Sequence, residues 1–256
     1  MTLAIETEQL TRLFGDFCAV DHLNLRVEEG TFYGFLGPNG AGKSTTIKML
    51  TGLLAPSQGK ILVLGRNMRD PRESLEAKSR MGVVPEDLAL FDNLTAREYL
   101  TFIGRMHLLP GDTIRSRMAD LLPLLGLEGE EKKLTLEYSH GMKKKLALAA
   151  ALLPNPDLLF LDEPFEGVDA VTSRVIRDLL RGYVERGSTV FLTSHVLEIV
   201  ERLCTHVGII VKGVLTEQAS LEEIRRGGTL EDRFLQIAGG DTEATRKLSW
   251  LEEGAS

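Results

Sequence analysis

Roughly alternating apolar and polar positions run through residues 3–10 and 17–28, interrupted by Gly15-Asp16 and closed by Glu28-Glu29-Gly30. A period of two reads as strands with one buried face, here joined by a hairpin-like turn. Thr31 to Leu36 is aromatic and aliphatic and predicts a buried strand, followed by a helix over Thr46 to Gly52. Gly59 to Gly65 is a glycine-bounded strand, Arg66 to Arg80 a polar segment, and Met81 to Val84 a short strand stopped by Pro85. The period then changes. Thr95-Ala96-Arg97-Glu98 is a capping box that opens a helix to about His107. A second helix covers 112–125, with Ile114, Met118, Leu121, Leu122 and Leu125 on one face, and an alanine- and leucine-rich third runs from about Gly141 to Leu153.

Leu158 to Leu161 is an unbroken apolar run, which suits a parallel strand buried on both faces. An amphipathic helix follows over 171–186, with Val175, Leu179 and Tyr183 inward and Gly187 closing it. Thr189 to Thr193 is another buried strand, and helix 196–204 and strand 206–211 continue the alternation. Lys212-Gly213 is a turn, Ser220 caps a short helix, and beyond Gly239 the chain reads as a loosely ordered polar tail. Alternating strands and helices imply an α/β fold with a mainly parallel central sheet flanked by helices. We expect residues 1–85 and 154–217 to form a discontinuous core with an N-terminal antiparallel β part. Residues 86–153 would form an inserted α-helical subdomain, and 218–256 a short C-terminal extension and tail.

Composition narrows the function classes. The 256 residues are 43% hydrophobic and 26% charged, ordinary for a globular protein, and the net charge of −7 argues against nucleic acid as the main partner. The basic runs Lys143-Lys144-Lys145 and Arg225-Arg226 read as solvated helix faces. Cys18 and Cys204 lack any metal-ligand spacing and read as small apolar residues in a reducing compartment. The N-terminus does not resemble a signal peptide, and the longest apolar run, Leu146 to Leu153, is far short of the ~20 residues that span a bilayer. The expectation is a chain that is soluble or reaches a membrane through a partner.

The chemistry centres on Gly37-Pro38-Asn39-Gly40-Ala41-Gly42-Lys43-Ser44-Thr45, which fits the phosphate-binding pattern G-x-x-x-x-G-K-[ST] at every fixed position. Its setting between a predicted strand and a predicted helix is the one such a loop requires. Glycines let backbone N–H groups converge on phosphate oxygens, and the positive helix end favours the anion. Lys43 would reach the β- and γ-phosphates, and the Ser44 hydroxyl would bind Mg²⁺. Asp162 and Glu163 end an apolar strand, where ligands of open parallel sheets gather. Asp162 is the candidate metal-side ligand, and Glu163 the residue that orients or deprotonates the attacking water. His195 ends the next buried strand, either as a γ-phosphate contact or as a structural histidine. Phe14 is either a core aromatic or a ring that stacks on a base.

Together these features resemble the nucleotide-binding subunit of an ATP-binding cassette (ABC) transporter, a P-loop NTPase, over residues 3 to 215. Thr193-Ser194-His195 corresponds to the family's switch histidine, and Glu166-Gly167-Val168-Asp169 carries its D-loop aspartate, Asp169. Tyr138-Ser139-His140-Gly141-Met142 stands where the family usually has Leu-Ser-Gly-Gly-Gln, keeping Ser139 and Gly141. Phe14 falls at the adenine-stacking position, and Glu86 replaces a glutamine, beside Mg²⁺ and the γ-phosphate, where it would coordinate the metal or orient water. Glu86 and the run Ser139 to Lys143 resemble the subclass that exports drugs, ions and peptides. The resemblance implies ATP and Mg²⁺, and a composite site in which a second nucleotide-binding subunit, identical or not, supplies its signature to each ATP. It also implies an integral membrane permease against which 86–153 bears, at the cytoplasmic face of the cell membrane, with no nucleic acid. Two other readings remain open: a soluble cassette ATPase acting on DNA or ribosomes, and a non-hydrolytic partner in a heterodimer. The single phosphate loop opposes the first, and intact Glu163 and His195 oppose the second.

Overall fold

The computed structural model describes residues 2–239, so the expected tail beyond Gly239 lies outside the described residues. Two sheets pack face to face. The first is antiparallel: β1 (Leu3–Phe14) pairs with β2 (Phe17–Leu23), β3 (Arg26–Glu28) and β5 (Gln58–Val63), and β6 (Arg66–Asn67) extends the β5 edge. The second has six strands in the order β11-β10-β4-β9-β8-β7. These are β4 (Phe32–Leu36), β7 (Met81–Val84), β8 (Leu158–Asp162), β9 (Thr189–Ser194), β10 (His206–Val211) and β11 (Val214–Ser220). All neighbours are parallel except the β10–β11 hairpin across Lys212-Gly213.

Strand alternation assigns each face of the large sheet its own core. Tyr33, Phe35, Leu158, Phe160, Phe191 and Ile210 point to the antiparallel sheet and α1 (Lys43–Leu50), meeting Ile5, Leu10, Val63 and Met49. Tyr33 and Phe191 stack with centroids 5.4 Å apart, and Phe160 lies 5.7 Å from Phe191. Phe32, Leu36, Leu159, Leu161, Val190 and Leu192 point the other way, onto α5 (His140–Leu152), α6 (Ala170–Glu185) and α7 (Leu197–Leu203). Both faces of β4, β8 and β9 are therefore buried, which is why these strands read as unbroken apolar runs.

Helices α3 (Ala96–Met106), α4 (Gly111–Leu124) and α5 lie in sequence between the paired strands β7 and β8. Thr95 caps α3 in a complete capping box with Glu98, and Ile114, Met118, Leu122 and Leu125 are buried. The polar segment 66–80 differs from expectation, because it holds the helix α2 (Pro71–Ser79). Only Ser74 and Ala77 are buried there, so no apolar periodicity marks it. Its start is nevertheless set by Pro71 and by the Asp70 side chain, which accepts from Arg72 N at 2.9 Å and Glu73 N at 3.0 Å. In α6 the buried face is Thr172, Ile176, Leu180 and Tyr183, one position on from Val175 and Leu179. The C-terminal part adds α8 (Leu221–Gly227), capped by Ser220, and α9 (Leu230–Ala238). Among the described residues no helix is long and apolar enough to cross a membrane.

Candidate active site

The phosphate-binding loop joins β4 to α1. Gly42 stands at the helix N-cap with φ 105°, and no side chain caps the helix or places an acid in its first turn. The first-turn N–H groups are therefore not taken by side chains, and no acid of the helix's own first turn offsets the positive end of its dipole. A Cβ at position 42 would lie 2.5 Å from the Ala19 carbonyl oxygen, so only glycine fits there. Lys43 is buried along the loop, and its Nζ donates to the Gly37 and Pro38 carbonyls at 2.8 and 3.2 Å. The Ser44 hydroxyl donates to Glu86 Oε2 at 3.2 Å, bringing the loop to the segment that follows β7.

The acidic pair sits at the carboxyl end of β8. Asp162 is 3% exposed, and the Thr193 hydroxyl from β9 donates to its Oδ1. Glu163 has a φ of 48°, a left-handed conformation rare for a residue with a side chain. Its N–H donates to Thr193 Oγ1 at 3.2 Å, so one hydroxyl fixes both acids. Its carboxylate Oε1 lies 3.1 Å from His195 Nδ1. Burial pushes the Glu163 carboxyl above the usual range, reinforced by Asp162, while the His195 hydrogen bond and the charges of His195 and Lys43 pull it down. A carboxylate raised towards working pH is suited to accept a proton from water.

These elements enclose a cavity of about 490 Å³ lined by Asn39, Gly40, Gly42, Lys43, Ser44, Thr45, Glu86, Glu163 and His195, all expected from sequence, and by Phe17, Ala19 and Glu166. Asp162 lies beneath the lining, and Gly37 borders it through the carbonyl that receives Lys43. Phe14 is not in the lining; it is half exposed with the Arg12 guanidinium 4.5 Å over its ring, and its cross-strand neighbour Phe17 faces the cavity instead. Ser139, Gly141 and Asp169 also lie outside the lining. Ser139 caps α5 by accepting from Met142 N at 3.3 Å, and Asp169 caps α6 by accepting from Thr172 N at 2.9 Å and its hydroxyl at 2.6 Å. Gly141 comes close to the Gly167 carbonyl, since a Cβ on it would lie 3.4 Å away.

Two residues that matter here escape sequence reasoning. Thr193 clamps the acidic pair, yet nothing distinguishes it from any other threonine in a strand. Lys144 overturns the reading of 143–145 as a solvated face. It is 3% exposed and donates through Nζ to the Glu163 carbonyl at 2.8 Å and the Glu166 carbonyl at 2.6 Å. Its neighbours Lys143 and Lys145 face Asp92 and Asp169 at 3.3 and 3.9 Å. The one sequence signal is its helical spacing, four and seven positions before Leu148 and Ala151, which are buried on the same face.

The sequence profile of the ABC transporter family matches residues 20–166. BcrA of Bacillus licheniformis, a bacitracin transport ATP-binding protein, is 40% identical over 228 residues, covering 88% of this chain and 72% of that protein. A solved ATP-binding subunit of an ABC transporter superposes with a TM-score of 0.86 at 28% identity, over 92% of this chain and 99% of the other. MJ0796, a bacterial ABC transporter cassette solved as a dimer, superposes with a TM-score of 0.79 at 25% identity, over 85% and 98% of the two chains. With the phosphate loop, Glu163 and His195 converging on one cavity, the chain belongs to the ABC transporter family as one of its ATP-binding subunits.

Proposed function

We propose that this subunit hydrolyses ATP to ADP and phosphate and thereby powers export through a separate membrane permease at the cytoplasmic face of the membrane. The observation that carries the reading is Glu163, a buried carboxylate with a raised pKa, aimed into the phosphate-loop cavity and hydrogen-bonded to His195. Glu163 orients the attacking water and receives its proton, and His195 holds the carboxylate in place. Lys43 and the N–H groups of α1 bind the β- and γ-phosphates, and Phe14 or Phe17 stacks on the base. Ser44, Glu86 and Asp162 offer the hard oxygen donors that suit Mg²⁺, and the first two already meet at 3.2 Å. When bound, Mg²⁺ supplies charge neutralisation on the phosphate oxygens.

Ser139, Gly141 and Asp169 lie outside the lining and serve the nucleotide of a second subunit, homologous or identical, as in the family's composite site. The dimeric cassette MJ0796 supports this arrangement. A permease helix is the partner for an apolar groove of about 370 Å³ beside β7, α3 and α5, bordered by Leu53, Leu88, Leu90, Tyr99 and Ile103. Beside the groove, the exposed Phe91 ring lies 6.1 Å from that of Tyr99 and 5.4 Å from that of the exposed Phe102. Export rests on the exporter-like run Ser139 to Lys143 and on Glu86, and the net charge of −7 leaves no nucleic-acid partner in this reading.

Purified Lys43→Ala should lose ATP binding. Glu163→Gln should bind ATP, form a dimer at saturating Mg-ATP by gel filtration, and turn over about 10² times more slowly or worse. Undiminished turnover in Glu163→Gln would remove its assigned role, and a strictly monomeric Glu163→Gln would remove the composite site.

A further inference from the structure

Three side chains from the first turns of α5 reach the segment that follows β8. The His140 ring lies against Gly167, where a Cβ would sit 3.2 Å from His140 Cδ2. Lys145 Nζ is 3.9 Å from Asp169 Oδ2. Between them Lys144 places its buried Nζ on two backbone carbonyls, those of Glu163 at 2.8 Å and Glu166 at 2.6 Å, with the Glu166 carboxylate 3.9 Å away. The same Glu163 carbonyl closes the 163–166 turn by accepting from Glu166 N at 3.3 Å.

A buried ammonium on two carbonyls is an expensive way to hold a turn. Desolvation lowers the Lys144 pKa, and the surrounding carboxylates, Glu166 first, then Glu163, Glu86 and Asp162, only partly offset it. The turn being held is the strained one. Glu163 carries the left-handed φ of 48°, a conformation that persists for a residue with a side chain only where its surroundings over-determine it. Thr193 fixes the N–H side of that residue and Lys144 its carbonyl side.

The geometry points to Lys144 as a positioning residue for Glu163: from the helix that begins at signature residue Ser139, it fixes the backbone that aims the water-orienting carboxylate. This rests on the role proposed for Glu163. Because Ser139 and Lys144 share one helix, a signature engaged by a second subunit's nucleotide bears directly on the backbone of the acid in this one.

The test uses the full chain with Lys144→Met, and with Lys144→Gln should the first variant fold poorly. Steady-state ATPase assays should show kcat down about ten- to hundredfold with KM for ATP within about twofold, the pattern of a displaced catalytic group rather than lost binding. In a Glu163→Gln background, Lys144→Met should lower the residual rate no further. Amide hydrogen exchange over 163–169 should quicken in both lysine variants, while β4 and α1 exchange as in the parent chain. Equal fold-losses in the two backgrounds, or unchanged kcat with unchanged exchange, would overturn the proposal. Absence of turnover in the parent chain would instead overturn the proposed function, and the exchange measurement would still decide the anchoring by Lys144.

Discussion

Two strand–loop–helix turns leave the same end of the large sheet, β4 to α1 and β8 to α6, and they are built on opposite principles. The first turns on glycines, with Gly40 at φ 76° and Gly42 at φ 105°, and starts a helix with no side-chain cap. The second turns on Glu163 at φ 48° and starts a helix whose first-turn N–H is taken by Asp169. One therefore presents free donors and a positive helix end to an anion; the other presents carboxylates, with Asp162 accepting from Thr193, Asp169 accepting from Thr172, and the Glu163 backbone held by Thr193 and Lys144. In the function proposed, the phosphates belong to the first turn and the proton chemistry to the second. Of these two turns, only the one that must aim a side chain places a non-glycine residue in the left-handed region, where glycine cannot serve.

The harshest way to break this contrast is Gly42→Ala. The new Cβ would meet the Ala19 carbonyl at 2.5 Å on a backbone that alanine disfavours. Backbone strain alone costs about 1–3 kcal/mol, and the clash forces the loop to move. Isothermal titration should find ATP binding abolished. Gly40→Ala is the control: a Cβ there meets nothing within 4 Å, so it should pay only the backbone term of about 1–2 kcal/mol and keep measurable affinity. Equal affinities for the two variants would show that backbone freedom, not close approach, is what the loop needs.

A smaller effect probes the second turn. The His195 hydrogen bond and charge hold the Glu163 carboxyl below where burial would set it. His195→Ala removes that restraint, so the carboxyl moves further up. Since the base must be ionised, the acid limb of the kcat–pH profile should shift to higher pH, with about a tenfold loss near neutrality that alkaline pH partly recovers. A limb that stays in place would separate His195 from the titration of Glu163.

The two turns also differ in how far the sequence reveals them. Gly37 to Thr45 is contiguous, and each of its fixed residues answers to one demand of a bound phosphate, so the motif reads directly. Asp162, Glu163 and His195 read from their places at the ends of apolar strands. Thr193 and Lys144 do not, because they approach from β9 and α5 and only the assembled sheet makes them neighbours of Glu163. In α6, apolar residues occupy both Val175, Leu179 and Ile176, Leu180, so the helical period leaves the phase open and packing against the sheet selects the second set. In α2 the buried positions are Ser74 and Ala77, which carry no hydrophobic signal; Asp70 and Pro71 mark the start by capping chemistry alone. Phe14 and Phe17 are cross-strand partners on one hairpin, so spacing from the phosphate loop does not separate them.

The mildest test concerns the cap that closes the second turn. Asp169→Ala deletes the acceptor for Thr172 N and its hydroxyl, leaving α6 as uncapped as α1. A lost N-cap in a chain of this size should lower the melting temperature by about 2–4 °C at neutral pH. The Thr172 hydrogen bonds hold the Asp169 carboxyl below its usual pKa, with help from Lys145. Its contribution is therefore present above the unfolded-state pKa and is lost as pH falls through the lower folded-state value. The melting-temperature gap between Asp169→Ala and the parent chain should accordingly stay constant from neutral pH down to about pH 5 and close in stronger acid. Asp169→Asn, which keeps the acceptor but not the charge, should retain most of the cap and lose the acid dependence. A gap that widens in acid would mean that the carboxylate is held by repulsion rather than by Thr172, and that the second turn is not braced in the way its hydrogen bonds indicate.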